Sequence, residues 1–337
     1  MSACAVWFER QFSAHKRKRV INVKSVVKGS NVVNILITGG AGYKGVILAE
    51  HLLKAGHKTT ILDNFLYGYE SVLGFASDKN CTIVKHDIRN LVESDLKPYD
   101  IIYHLAAISG YPACEANPHS AQMINVVSTE KLVKMLSVDQ VLVYASTTSL
   151  YGMSGQELKE TAIPAPGSLY GITKWTAETV CMQRQNAISF RFATLFGASR
   201  RMRCDLLLND FVYRAVNDRS IVLFDSHSVR TFLHVRDAIQ AYCMVLSHAG
   251  SMAGQIYNVG ANTMNFSKLE LARVIQSFLH NEIIETQLAD PDRRDFIINF
   301  DKITALGFKP AITIADGIDE LIRLYSWYQP YQNYRPI

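Results

Sequence analysis

The run Ile35-Leu36-Ile37-Thr38 passes directly into Gly39-Gly40-Ala41-Gly42-Tyr43-Lys44-Gly45, after which Val46, Ala49 and Leu53 share one helical face with Leu48 and Leu52 beside it. A β-branched strand, a glycine-rich turn and an amphipathic helix in that order make a phosphate site. Glycines let the backbone approach a pyrophosphate, and the open amides and positive dipole end of the helix stabilise its charge. Gly56 is placed to stop that helix. The spacing G-x-x-G-x-x-G differs from the G-x-G-x-x-G fingerprint, so its context has to decide. Asp63 closes the next predicted strand, where a carboxylate can accept hydrogen bonds from the ribose hydroxyls of NAD and repel the extra phosphate of NADP. The alternative is a surface Asp that merely ends a strand.

Strongly apolar runs at 33–38, 59–63, 82–86, 101–105 and 141–146 alternate with helical stretches, as in strands covered by helices on both faces. We therefore expect an α/β chain with a Rossmann-type, doubly wound parallel sheet over residues 32–190. Beyond Phe192 the strands thin out, and helices are predicted at 237–247, 267–279 and 314–324. These define a smaller C-terminal α/β substrate lobe over 191–337, with an interleaved boundary. The 337 residues, 48% hydrophobic and 19% charged, suffice for a large core. No apolar run approaches the roughly 18 residues of a membrane-spanning helix, so a soluble protein is expected.

The net charge of +5 resides in the first thirty residues. Arg10, Lys16, Arg17, Lys18, Arg19, Lys24 and Lys28 stand against Glu9 alone, leaving the rest of the chain near −1. The body is not expected to bind nucleic acid. Residues 1–31 read as a flexible basic extension without a secretory signal, and a mitochondrial-type presequence is the alternative. Cys4, Cys81, Cys114, Cys181, Cys204 and Cys243 are dispersed, with no C-x-x-C pair and no zinc-like set, so we expect free thiols, no metal and a cytoplasmic location.

Tyr170 and Lys174 form Y-x-x-x-K, and a helix starting near Tyr170 would put both on one face. A phenol loses its proton at about pH 10; a neighbouring ammonium and a positive nicotinamide ring would favour phenolate and make Tyr170 a base. The fifth predicted strand ends at Ala145-Ser146-Thr147-Thr148-Ser149, where a hydroxyl can orient a substrate oxygen; ordinary strand-end capping is the alternative.

Together these residues resemble the extended branch of the short-chain dehydrogenase/reductase superfamily, the NAD-dependent nucleotide-sugar epimerases and dehydratases. Carrying the resemblance are T-G-G-A-G-Y-x-G at 38–45, Asp63-Asn64, H-D-I-R at 86–89, H-L-A-A at 104–107, Asn125, Ser146-Thr147 before Leu150-Tyr151-Gly152, Tyr170 and Lys174. R-T-F-L-H-V-R-D at 230–237 and Y-N-V-G at 257–260 extend it. It implies NAD contacts from Gly39, Gly42, Tyr43, Gly45, Asp63, Asn64, Asp87, Ile88, Ala106, Ala107, Asn125, Tyr170 and Lys174. It implies catalysis by Thr147, Tyr170 and Lys174. Asn209 and Arg230 resemble contacts to a substrate diphosphate, and Phe224 falls near the nucleotide base. Arg201, Arg203 and Arg294 suit the same anion, or are solvated surface arginines. His104 and His234 are expected to be structural.

Lys44 occupies a position usually apolar in the family, where it either weakens helix packing or adds a charge near phosphate. Thr148-Ser149 replace the Asp-Glu pair that follows the catalytic Thr in dehydratases, so elimination of water lacks its acid and base. The expected activity is oxidation at carbon 4 of a nucleoside-diphosphate sugar by a homodimeric epimerase of polysaccharide biosynthesis. The runner-up is net 4-dehydrogenation of an NDP-sugar such as a GDP-heptose, suggested by 191–197 with Arg201-Met202-Arg203 and Asn209-Asp210-Phe211. A non-enzymatic NAD sensor on the same fold is the alternative from another class.

Overall fold

The computed structural model describes residues 32–290, 292 and 294–330, so the basic extension lies outside the described residues. A seven-stranded parallel sheet forms the centre. Its strands are β1 (Asn34–Thr38), β2 (Lys58–Asp63), β3 (Cys81–Lys85), β4 (Ile101–His104), β5 (Val141–Thr147), β7 (Ala187–Phe192) and β11 (Gln255–Val259). The order β11-β7-β5-β4-β1-β2-β3 reverses direction between β1 and β4, the crevice where doubly wound sheets bind ligands. The expected Rossmann-type α/β fold is what the chain forms.

Helices cover both faces. On one lie α1 (Gly45–Lys54), which follows the glycine turn, and α5 (Val235–Met252); on the other lie α2 (Ser128–Met135) and α3 (Leu169–Cys181). Val46, Leu48, Ala49, Leu52 and Leu53 of α1 are buried, and Gly56 adopts φ +85° beyond its end. The central strands β1, β4 and β5 bury nearly every side chain. Strand β3 departs from the expected two-sided burial: Thr82, Ile83 and Lys85 are exposed. It is the sheet edge, and between it and β2 the connection forms only the short turn Glu70–Val72 in place of a full helix.

The later half is richer in strands than its sequence suggests. Strands β8 (Thr194–Phe196), β10 (Val229–His234) and β12 (Asn265–Ser267) form one small sheet. β6 (Met153–Leu158) pairs with β14 (Asp295–Ile298), and β9 (Ser220–Leu223) pairs with β13 (Glu282–Glu285). The predicted helices appear as α5, α6 (Lys268–Phe278) and α7 (Ile314–Tyr325), and α4 (Leu207–Asn217) packs on α7. Ser267 with Glu270 and Thr313 with Asp316 form capping boxes at the starts of α6 and α7.

Candidate active site

The glycine turn is held by close backbone packing. Gly39 has φ +69°, and a Cβ there would meet the Ala106 backbone at 2.7 Å. A Cβ on Gly45 would sit 2.5 Å from the Gly39 carbonyl. Gly42 donates from its amide to the Gly39 carbonyl (3.1 Å). The start of α1 therefore lies hard against the ends of β1 and β4, with the Val46 amide donating to the Gly42 carbonyl (3.1 Å). This cradle suits a dinucleotide pyrophosphate. Asp63 braces it: Oδ2 accepts from the Ala41 amide (3.0 Å) and Oδ1 from the Phe65 amide (2.9 Å). Burial raises the Asp63 pKa, and the amides of Phe65, Ala41 and Asn64 oppose the rise.

Among the other residues expected around the cofactor, Asn64 is exposed and accepts from the Leu66 amide. Asp87 caps the short turn Ile88–Asn90 and grips Arg89, which lowers its pKa, while Ile88 is buried behind it. Ala106 and Ala107 are half-buried at the end of β4. Two more of these residues brace the structure. The buried Asn125 side chain accepts from the Ile108 amide (2.8 Å) and donates to the Ile108 carbonyl and to Thr173 Oγ1 (3.1 Å), tying the loop after β4 to α3. Tyr43 is buried and donates from its hydroxyl to the Gly197 carbonyl (2.7 Å), so its side chain ties the glycine turn to the later half.

Helix α3 begins at Leu169 under the Ser168 cap, so Tyr170 and Lys174 share a face as predicted. Thr147 and Ser109 stand beside the Tyr170 hydroxyl. Ser109, in the loop after β4, was not singled out from the sequence. Burial raises the Tyr170 pKa, and Ser109, Arg203 and Thr147 oppose the rise. The expected tuning by Lys174 takes a different form in the protein by itself. The Lys174 ammonium is buried 4.2 Å above the Tyr144 ring, and burial lowers its pKa to about 8. Thr147 donates to Ser149 Oγ (3.0 Å), and that oxygen also accepts from Arg294 Nη1 (2.8 Å).

Two of the arginines lie side by side. Arg230 on β10 is almost fully buried, beside Arg294; burial and that neighbour lower its pKa to about 10. Asp292 pairs with Arg294, and its carbonyl accepts from Arg230 (2.9 Å). Arg203 reaches the Ser109 carbonyl and is clamped by Asp205, and buried Arg201 stacks 4.1 Å over Tyr67. Neither is a solvated surface arginine. Asn209 is engaged within the protein. Fully buried, it accepts from the Gly197 amide (2.9 Å) and donates to the Arg203 carbonyl (2.8 Å), and so positions the arginine loop. Phe224 is partly exposed at the end of β9, where its carbonyl accepts from Lys268.

The histidines are structural. His104 is buried between the hydroxyls of Thr38 (2.8 Å) and Thr129 (2.9 Å), and burial lowers its pKa to about 3. His234 caps α5 and pairs with Glu320. Among the described residues no metal-binding cluster occurs, Cys81, Cys114, Cys181, Cys204 and Cys243 are free thiols, and no helix is long and apolar enough to cross a membrane.

A Rossmann sheet with a glycine cradle at its switch point and a Thr–Tyr–Lys set at the ends of β5 and α3 defines a dinucleotide-dependent redox enzyme. The chain belongs to the NAD dependent epimerase/dehydratase family, whose model matches residues 35–260. NAD is therefore its cofactor. It is similar to UDP-glucuronic acid decarboxylase 1 of Danio rerio, at 28% identity over 310 residues, covering 87% of this chain and 72% of the relative. It is 26% identical to CDP-paratose 2-epimerase of Salmonella typhi, covering 88% and 99% of the two chains. Its fold is similar to that of UDP-glucuronic acid 4-epimerase from Bacillus cereus in complex with UDP-glucuronic acid and NAD, with a TM-score of 0.76 at 22% identity, covering 87% and 99%.

Proposed function

We propose that the chain is a nucleotide-sugar epimerase that transiently oxidises its sugar at carbon 4. The observation that carries this reading is the pairing of Tyr170 with Thr147, next to a position where Ser149 and Arg294 stand in place of an acid. The carboxylates beside Arg203 and Arg294, Asp205 and Asp292, are each paired to one of them, so neither is free to drive loss of water. The activities of the Salmonella and Bacillus relatives support an epimerase.

When bound, NAD supplies the acceptor that takes up hydride from the sugar and gives it back. Tyr170 takes the proton of the carbon-4 hydroxyl while Thr147 orients that hydroxyl. The cationic form of Lys174, one turn along α3, favours the phenolate. Arg230 and Arg294 hold the diphosphate with fork-shaped guanidinium groups, and the burial of Arg230 strengthens the contact. A homodimer in the cytoplasm, serving polysaccharide assembly, completes the reading.

Incubation with NAD and a panel of UDP, GDP, dTDP and CDP sugars, followed by mass analysis and chromatography, tests it. Epimerisation leaves the mass unchanged and shifts the retention time. Loss of two hydrogens would establish the net 4-dehydrogenase, loss of water a dehydratase, and loss of carbon dioxide a decarboxylase. No turnover across the panel would favour a sensor.

A further inference from the structure

Lys44 lies where a third reading joins the two expectations. It stands at the junction of the glycine turn and α1, and its side chain reaches toward the catalytic end of the sheet. Its ammonium lies 4.4 Å from the centroid of Phe192 and 5.7 Å from that of Tyr242. Phe192 is the register partner of Thr147, and its carbonyl accepts from Thr148 Oγ1 (3.2 Å). The charged groups acting on Lys44 are Lys174 and Arg203, both cations, and no carboxylate engages it among the described residues. A half-buried ammonium with two cations for neighbours is costly to keep, and the aromatic faces offset only part of that cost, which points to a role in the cleft.

A dinucleotide whose pyrophosphate rests on the glycine turn and whose reactive ring reaches Thr147 and Tyr170 has to span the path that the Lys44 side chain follows. The pyrophosphate carries the same charge in both redox forms. The nicotinamide ring is cationic when oxidised and neutral when reduced, so a nearby ammonium repels only the oxidised form. We infer that Lys44 is a specificity-determining residue that biases the cleft toward the reduced cofactor, and so favours removal of hydride from the sugar. The inference rests on the NAD cleft described above.

The test compares dissociation constants for NAD and NADH, by calorimetry and by nicotinamide fluorescence, in the wild type, Lys44→Met and Lys44→Arg. It is run at pH 6, below the value of about 7 to which burial lowers the Lys44 pKa. In Lys44→Met the ratio of the NAD constant to the NADH constant should fall about tenfold through tighter NAD binding, while Lys44→Arg keeps the wild-type ratio. If Lys44→Met weakens both forms equally, the ammonium serves the pyrophosphate and the inference is overturned. An unchanged ratio with both forms bound overturns it as well. Failure of the wild type to bind either form would overturn the cofactor cleft itself, which the wild-type titration alone reveals. Should Lys44→Met not fold, Lys44→Gln removes the same charge and carries the same expectations.

Discussion

Arg294 donates to Ser149 Oγ across 2.8 Å, and the same oxygen accepts from Thr147, so a residue just before β14 helps fix the hydroxyl at the end of β5. Arg294 is also held by Asp292, whose carbonyl accepts from buried Arg230. The proposed anion site and the hydroxyl proposed to orient the sugar are thus one connected network. On that proposal, occupation of the anion site reaches the reacting end of the cleft through Arg294.

Replacing Arg294 with Ala should lower kcat/KM about 10- to 100-fold, as expected for losing a charge-assisted hydrogen bond of about 1.5–3 kcal/mol. Most of the loss should fall on KM, with a smaller drop in kcat through Thr147. Steady-state kinetics on the sugar identified by the panel check this, and a pure kcat effect would contradict the diphosphate role.

Tyr170→Phe removes a hydroxyl and almost no volume. Turnover should fall by roughly 10²- to 10⁴-fold while NAD binding stays close to that of the wild type. Retention of more than about a tenth of the rate would rule out Tyr170 as the base.

Much of this was legible in the sequence because the first half obeys simple patterns. Strands β1, β4 and β5 are continuous apolar runs buried on both faces, and the i,i+4 offset of Tyr170 and Lys174 survives intact in α3. Strand β10 was hidden because Arg230, Thr231 and His234 are polar yet buried, which erases the alternation that marks a strand. The family resemblance points to Asn125, Asn209 and Tyr43 as ligands. Their partners are backbone groups 17, 12 and 154 residues away, and composition carries no signal of those. Ser109 follows H-L-A-A in the loop after β4, and its nearness to Tyr170 emerges only when β4 and β5 pair.

Asp63 serves two ends, so its replacement should have two effects. In Asp63→Ala the amides of Ala41 and Phe65 lose their acceptor, which should cost about 1–3 kcal/mol of stability. Loss of ribose hydrogen bonds and of repulsion toward the extra phosphate should narrow the preference for NAD over NADP. Denaturant titration and calorimetry with both cofactors separate the two. A variant that keeps the full preference would show that Asp63 only braces the turn.

The last prediction concerns the pH dependence of stability, and its sign follows from Lys44. Burial lowers the Lys44 pKa from 10.5 to about 7, with Lys174 and Arg203 adding to the fall. The unfolded chain therefore binds this proton more tightly than the folded one. Below about pH 7 the group is charged in both states and its destabilisation is fully present; the penalty shrinks as pH rises from about 7 toward 10.5. Lys174, lowered to about 8, acts in the same direction, so the quantity to follow is the difference between wild type and Lys44→Met. Lys44→Met should be more stable by an amount on the order of a few kcal/mol at pH 6, and this gain should shrink steadily as pH approaches 10. Denaturant unfolding of both proteins at pH 6, 8 and 10 measures it. A gain that is constant across this range would come from better packing of the methionine on Phe192 and Tyr242 and would show that the ammonium is not destabilised where it lies.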